Sequence, residues 1–217
     1  MAEFSPFEVS TWIRKLGLSF KEAIIPYGLS WISPYHQIKV DEPLLCAATN
    51  YWILTRHVFH FNSVEICSTL EEFSAIMGEP SVNDHVFPTM GGNLPTLIQA
   101  LLGVPLEKAK QWCVFGKLNV WLIFAYFSQL AIPMTEILHS QFLNAFFLCM
   151  LARYFLVHET YCVDHKMCLV VADLRNRNLT GLILAETLNG LDAFHRKEAN
   201  FFAGSLLLLH IWSLIFA

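Results

Sequence analysis

Residues 68–80 form the most informative stretch of the chain, and they read Ser68-Thr69-Leu70-Glu71-Glu72-Phe73-Ser74-Ala75-Ile76-Met77-Gly78-Glu79-Pro80. Two pairs in it, Ser68 with Glu71 and Thr69 with Glu72, have the spacing of a capping box. In that motif a hydroxyl and a carboxylate satisfy backbone N–H groups at the start of a helix. The stretch therefore predicts a helix that begins near residue 69.

The same stretch also predicts how the helix packs and where it ends. Phe73, Ile76 and Met77 recur at helical spacing and form one apolar stripe, which indicates a buried face. Gly78 and Pro80 follow directly, and both residue types are typical of helix ends.

Toward the N-terminus, the sequence predicts one more helix and a β-hairpin. Asp41-Glu42-Pro43 has an N-cap residue and an early proline, so a helix is expected over 44–54. Alternating residues at 57–61 and 64–66 predict two short strands around Asn62-Ser63. Residues 1–40 are irregular and contain several prolines and aromatic residues.

Toward the C-terminus, most of the sequence reads as helix. Apolar spacing predicts helices at 95–102, 105–113, 134–158, 179–195 and 203–216, with a loop or short strand at 162–172. Alternating strand–helix units are absent, which argues against a doubly wound nucleotide-binding fold. The predicted fold is mainly α (α+β), a single compact helical domain over 41–217 with a small hairpin near 57–66.

Composition excludes some classes of function. The 217 residues are 55% hydrophobic and 15% charged, with a net charge of −4 and no concentrated basic patch. Because nucleic-acid affinity depends on many Lys and Arg contacts to phosphates, no direct nucleic-acid binding is expected. The six cysteines lie mostly in apolar runs, which favours a reducing compartment over a disulfide scaffold.

Three apolar segments raise the question of a membrane. Segments 118–134, 142–157 and 201–217 are each shorter than the roughly 20 residues that a spanning helix needs, and each contains polar residues. Buried helices of a soluble fold are the favoured interpretation. A membrane-associated protein anchored by 201–217 is the alternative.

The strongest metal candidate is the set His158, Cys162, His165 and Cys168. Two imidazoles and two thiols can bind zinc tetrahedrally. However, the spacing matches no recognised zinc motif, and all four ligands lie in one short stretch. The favoured interpretation is two buried cysteines and two surface histidines, with no metal and no cofactor.

Other residues with reactive side chains give weaker signals. His57 and His60 are three apart in a predicted strand, where they face opposite sides. Lys117 lacks the glycine-rich phosphate loop that a Schiff-base lysine of a cofactor enzyme needs. No nucleophile elbow or phosphate-binding loop is present. The sequence therefore predicts no enzyme, although a metal-dependent or transferase-like activity is retained as an alternative.

Two blocks of sequence resemble a known family. The first runs through Leu44-Leu45-Cys46-Ala47-Ala48-Thr49-Asn50-Tyr51-Trp52, Thr55-Arg56-His57-Val58-Phe59-His60-Phe61 and 64–80. The second comprises Leu184-Ala185-Glu186-Thr187-Leu188-Asn189-Gly190-Leu191 and Gly204-Ser205-Leu206-Leu207-Leu208-Leu209-His210-Ile211-Trp212. Together they resemble the "aminotransferase-like" plant mobile domain, and they look closest to the related uncharacterised domain found beside plant retroelement genes.

The resemblance implies a nuclear protein of transposon-related origin, with a role in transposon silencing or genome maintenance through protein partners. It supplies no catalytic residues. His210 stands where the family often has Gln, and the chain ends after the Trp helix where family members often continue. A shortened copy is therefore expected.

Overall fold

The computed structural model describes residues 20–27, 38–78, 93–130, 135–155, 162–164, 166–174, 178–200 and 202–216. Within these ranges it contains ten α-helices and two small three-stranded antiparallel sheets. The prediction of a mainly α fold with a hairpin near residues 57–66 is confirmed.

The elements are as follows in chain order. The helices are α1 (Phe20–Ile24), α2 (Glu42–Ala48), α3 (Leu70–Met77), α4 (Leu94–Leu102), α5 (Leu106–Gln111), α6 (Val120–Gln129), α7 (Glu136–Met150), α8 (Lys166–Asp173), α9 (Thr180–His195) and α10 (Leu206–Phe216). The strands are β1 (Trp52–Ile53), β2 (Val58–Phe61), β3 (Val64–Ile66), β4 (Cys113–Val114), β5 (Lys117–Asn119) and β6 (Cys162–Asp164).

The chain divides into two compact units. Unit 1 comprises Met1–Pro26, Pro88–Arg153 and Thr160–Asp173, and unit 2 comprises Tyr27–Phe87, Tyr154–Glu159 and Leu174–Ala217. The predicted single domain over 41–217, with its boundary after residue 40, stays a prediction.

Unit 1 is built from helices on one small sheet. Helix α7 packs against α4, α6 and α8, and the sheet has the order β4-β5-β6. Leu118 of β5 lies between Cys113 and Val163 in the strand register. Leu118 and Val163 are both buried, so this face of the sheet belongs to the core of the unit.

Unit 2 is built around helix α3. Helices α9 and α10 both pack on α3, and the sheet of this unit has the order β1-β2-β3. Phe59 of β2 pairs with Trp52 on one side and with Ile66 on the other. The buried stripe predicted for α3 is confirmed, since Phe73, Ile76 and Met77 are all buried.

The start signals of α2 and α3 and the end signal of α3 are confirmed in detail. The Asp41 side chain accepts a hydrogen bond from the Leu44 N–H at 3.0 Å. Of the two possible capping boxes, the one that forms is Thr69 with Glu72. Gly78 then ends α3 in the left-handed conformation, at φ 68°, which glycine adopts without steric cost.

Several predicted boundaries are wrong. The helix expected over 44–54 ends at Ala48; a 3-10 turn follows, and Trp52–Ile53 forms strand β1. Strand β2 begins at Val58, because His57 lies in the preceding turn at φ 53°. The helix expected over 134–158 is α-helical at Glu136–Met150 and continues as a short π-helix at Leu151–Phe155. The segment expected as a loop or short strand at 162–172 contains helix α8 after β6.

The apolar C-terminal segment forms a short helix. Helix α10 has 11 residues, and residues 207–212 are buried within unit 2. Among the described residues, no helix combines the length and apolar character needed to cross a membrane.

Candidate functional site

The proposed zinc ligands fall into two groups. His158 and His165 lie outside the described residues, whereas Cys162 lies in β6 and Cys168 in α8. In the strand register Cys162 pairs with Asn119, next to the buried Leu118–Val163 pair. Because side chains alternate along a strand, Cys162 points away from the core face on which Val163 lies.

Cys168 of helix α8 is buried. Burial raises the pKa of its thiol to about 12, with a further contribution from the nearby Cys113. This position matches the interpretation of Cys168 as a buried cysteine of the core. No group of three or more His, Cys, Asp or Glu side chains arranged to hold a metal is found in the described parts of the chain.

Lys117 lies on the surface of unit 1. It is an exposed residue of strand β5, paired in register with Val114 and Asp164. Gly91 and Gly92, the nearest glycine pair, lie outside the described residues. The surface position fits the interpretation of a solvated lysine, although Lys117 begins a strand rather than a helix.

The structure gathers polar side chains around Asp192 of α9. The Trp52 indole donates a hydrogen bond to Asp192 Oδ1 at 2.8 Å, and His57 Nε2 lies 3.0 Å from Oδ2. Arg196, one turn later in the helix, approaches the same Oδ2 to 3.8 Å. The His57 ring also stacks on the Trp52 indole, with ring centroids 6.0 Å apart. We call these four residues the Asp192 cluster.

The Asp192 cluster changes the interpretation of His57. The expectation that His57 and His60 face opposite sides of one strand does not apply, because His57 precedes the strand. Its left-handed backbone is compensated by the Trp52 stack and the Asp192 contact. No motif in the sequence singles out Asp192; its one local signal is Arg196 at i+4, a spacing common to surface ion pairs.

A second carboxylate, that of Glu72 in α3, also accepts hydrogen bonds from two donors. Its Oε2 accepts the Thr69 backbone N–H at 2.9 Å and the Trp212 indole N–H at 2.8 Å. Phe59 lies between the two tryptophans, 4.9 Å from the Trp52 ring and 6.1 Å from that of Trp212. Glu71, its neighbour in sequence, is exposed. Of these two acidic residues, Glu72 is the one that completes the capping box and accepts the Trp212 indole N–H.

His210 of α10 is a third polar residue with a structural partner. Its Nδ1 accepts the backbone N–H of Asp41, the residue that caps α2, at 3.2 Å. The side chain is buried, and Nδ1 must be unprotonated to accept this bond. The contact joins the start of α2 to the C-terminal helix.

A buried hydroxyl, that of Thr187, connects α9 to the segment before α10. Thr187 Oγ1 of α9 donates to the Ile183 carbonyl at 2.7 Å and accepts the Ser205 N–H at 3.0 Å. Ser205 Oγ in turn accepts the Leu208 N–H in the first turn of α10. The segments approach closely here, because a Cβ on Gly190 would lie 1.8 Å from the Ala203 carbonyl oxygen.

Chemically, the most suggestive of these arrangements is the His57–Asp192 pair. A carboxylate that orients an imidazole is a familiar part of a general base, but the base must reach a nucleophile or a substrate proton. Within the described residues, no Ser, Thr, Cys or Lys side chain forms a hydrogen bond with His57. The contacts show a partly exposed His57 imidazole that stacks on the Trp52 indole and lies within hydrogen-bond distance of the Asp192 carboxylate.

Comparison of the chain with protein-family models, with curated proteins and with solved structures finds no match. The resemblance to the plant mobile domain stays a prediction, as do the functions that it implies.

Proposed function

We propose that the chain is a non-enzymatic protein-interaction or scaffold domain of transposon-related origin, which acts with protein partners in transposon silencing or genome maintenance in plant nuclei. The origin, the process and the nuclear location rest on the resemblance carried by residues 44–80 and 184–212. The absence of catalysis and the presence of partners rest on the physical arguments that follow.

The observation that carries the proposal is that four polar side chains of unit 2 form hydrogen bonds that connect its elements. Asp192, Glu72, His210 and Thr187 each accept a hydrogen bond from another element of the unit. A catalytic group needs a free position for substrate, whereas these groups are occupied by buried indoles and backbone N–H groups. Their arrangement supports a role in holding the fold together.

The surface supports a role in binding other proteins. Phe115, Ile137 and Leu214 are large apolar side chains with exposures of 101%, 71% and 66%. Burial of exposed apolar surface of this kind is the main favourable term in most protein–protein association. The burial of residues 207–212 in unit 2 favours a core helix over the alternative of a membrane anchor at 201–217.

The test is affinity purification of the tagged full-length chain from plant cells. We expect at least one protein partner at near-stoichiometric yield, retained by a H57Q variant, because the proposal assigns no partner contact to the imidazole. A chain that recovers no stable partner in repeated purifications contradicts the proposal. Loss of the partner on H57Q, in a variant with an unchanged circular dichroism spectrum, would move the functional site to the Asp192 cluster.

A further inference from the structure

One long-range hydrogen bond of unit 2 depends on the protonation state of a histidine. The backbone N–H of Asp41 donates to His210 Nδ1 at 3.2 Å, across 169 positions of the chain. An imidazolium carries a hydrogen on both ring nitrogens and accepts no hydrogen bond, so this contact forms only with the neutral ring. Histidine is the side chain that ordinarily changes its charge between about pH 5 and about pH 8. Protonation of His210 therefore removes the contact.

The other ring nitrogen of His210 contacts solvent. A neutral ring that accepts at Nδ1 carries its hydrogen on Nε2, and no described residue accepts from Nε2. Ser74 Oγ is the one fully buried side-chain polar atom of the described chain without a partner. His210 Nε2 is therefore not fully buried, although the residue as a whole is only 7% exposed. A charged His210 ring keeps a contact with water at this nitrogen.

The charged side chains on the elements around His210 are mostly acidic. Helix α10 packs on α2 and α3, and among its described residues it has no other titratable side chain. Lys39 is the one basic residue among positions 38–48 and 67–77. The starts of α2 and α3 carry four carboxylates, those of Asp41, Glu42, Glu71 and Glu72. A protonated ring thus has carboxylate acceptors nearby, and the nearest belongs to the residue that it already contacts.

Asp41 has two polar groups with different partners. Its backbone N–H donates to His210, and its carboxylate Oδ1 accepts the Leu44 N–H at 3.0 Å as the N-cap of α2. Because both groups belong to one residue, rotation about the side-chain bonds of Asp41 is enough to bring the carboxylate in front of the His210 ring. The residue that caps α2 can therefore exchange one partner for another.

We propose that His210 and Asp41 form a pH-sensitive latch, a contact between α10 and the start of α2 that acid opens. With the ring neutral, the Asp41 N–H binds Nδ1 and the carboxylate caps α2. When a proton from solvent binds Nδ1, the new N–H donates to the Asp41 carboxylate, and the Leu44 N–H loses its cap. Acid thus loosens the start of α2 while α10 stays in the core of the unit.

The other histidine contacts of the described chain do not open in this way. His57 Nε2 faces the Asp192 carboxylate, so protonation converts that contact into an ion pair. His195 Nδ1 lies 3.1 Å from the Thr49 carbonyl oxygen and donates to it, in the neutral and in the protonated ring. The opening by acid is therefore specific to the contact between α2 and α10.

NMR spectroscopy of the isotope-labelled full-length chain tests the latch. At neutral pH we expect the His210 ring to be protonated at Nε2 alone. In a titration from about pH 8 to about pH 5, the backbone amide signals of Asp41 and Leu44 should shift with the same midpoint as the His210 ring. A neutral ring protonated at Nδ1, or amide signals of Asp41 and Leu44 that do not follow the ring, would overturn the proposal.

H210N is the matched control. Asn has its side-chain oxygen bonded to Cγ, as Nδ1 is in histidine, so it can accept the Asp41 N–H but does not titrate. In H210N the Asp41 and Leu44 amide signals should stay constant between about pH 8 and about pH 5. A shift equal to that of the native chain would assign the titration to another group and overturn the proposal.

H57Q is a second control, which removes a different imidazole of unit 2. It should keep the native titration of the Asp41 and Leu44 amides, and loss of that titration would contradict the assignment to His210. The latch is a property of the folded chain alone, so its failure would leave the proposed interaction function standing.

Discussion

The indole N–H of Trp212 donates a hydrogen bond to the carboxylate of Glu72, 2.8 Å away and 140 residues earlier in the chain. The same oxygen, Oε2, accepts the Thr69 N–H that starts helix α3. A local helix cap thus becomes a long-range contact that positions the C-terminal helix. The two blocks of sequence on which the predicted family resemblance rests meet at this oxygen.

Replacing Glu72 should therefore lower the free energy of unfolding by more than the loss of a helix cap alone would. E72A leaves the Thr69 N–H and the indole N–H of the buried Trp212 without their acceptor, and we expect a loss of about 2–3 kcal/mol in the free energy of unfolding. Urea denaturation measures it. The matched control is E71A, an exposed neighbour, expected within about 0.5 kcal/mol of the native chain. Equal effects of the two substitutions would contradict the assigned role of Glu72.

Two buried hydroxyls should respond in opposite ways to their removal. Ser74 Oγ is buried and has no hydrogen-bond partner in the described chain, so S74A should stabilise the protein by about 1 kcal/mol. Thr187 Oγ1 accepts the buried Ser205 N–H, so the isosteric T187V should destabilise by about 1–3 kcal/mol. Denaturation curves of the two variants give both values. A destabilised S74A would indicate that Ser74 has a partner after all.

Two glycines should also differ in their tolerance of a methyl group. At Gly190 a Cβ would meet the Ala203 carbonyl oxygen at 1.8 Å, so G190A should cost more than about 3 kcal/mol or prevent folding. At Gly78 the space is open and only the left-handed φ of 68° opposes alanine, at about 1–2 kcal/mol. Soluble yield and denaturation midpoints rank the two variants. A G190A chain as stable as G78A would show that α9 and residue 203 are not in close contact.

The exposed and buried cysteines should differ in their reactivity toward a thiol reagent. Cys46 is exposed, whereas burial raises the pKa of the Cys149 thiol and that of Cys168, the latter to about 12. At pH 8 a thiol reagent should modify Cys46 within minutes and reach Cys149 and Cys168 only after denaturation. Mass spectrometry of the quenched reaction identifies the modified sites. Early labelling of Cys168 in the native chain would contradict its burial.

The same raised pKa predicts an alkaline loss of stability. Between the ordinary thiol value of 9.0 and about 12, the unfolded chain loses the Cys168 proton while the folded chain keeps it. The folded state then binds more protons, so the free energy of unfolding falls as pH rises through that window. In C168A the slope of stability against pH should be smaller than in the native chain, whatever the change in stability at neutral pH.

Local signals predicted the parts of the fold that depend on neighbouring residues. Thr69, Glu72 and Gly78 specify helix α3 within ten residues, and Asp41 does the same for the start of α2. The helix predicted over 44–54 includes Trp52, because the neighbouring residues favour a helix. Trp52 lies in a strand because pairing with Phe59 and bonding to Asp192 outweigh local propensity.

The Asp192 cluster could not be predicted, since its contacts join residues 135 and 140 positions apart. The contact between His210 and the Asp41 N–H is of the same kind, since it joins residues 169 positions apart.

The proposal that helix α10 is a core element of a nuclear interaction domain is tested most directly by fractionating plant cells that express the tagged full-length chain, with alkaline carbonate extraction of the pellet. The account predicts recovery in the soluble or nuclear fractions, with none retained in the carbonate-resistant membranes. Retention in that membrane pellet would contradict it and would identify 201–217 as an anchor.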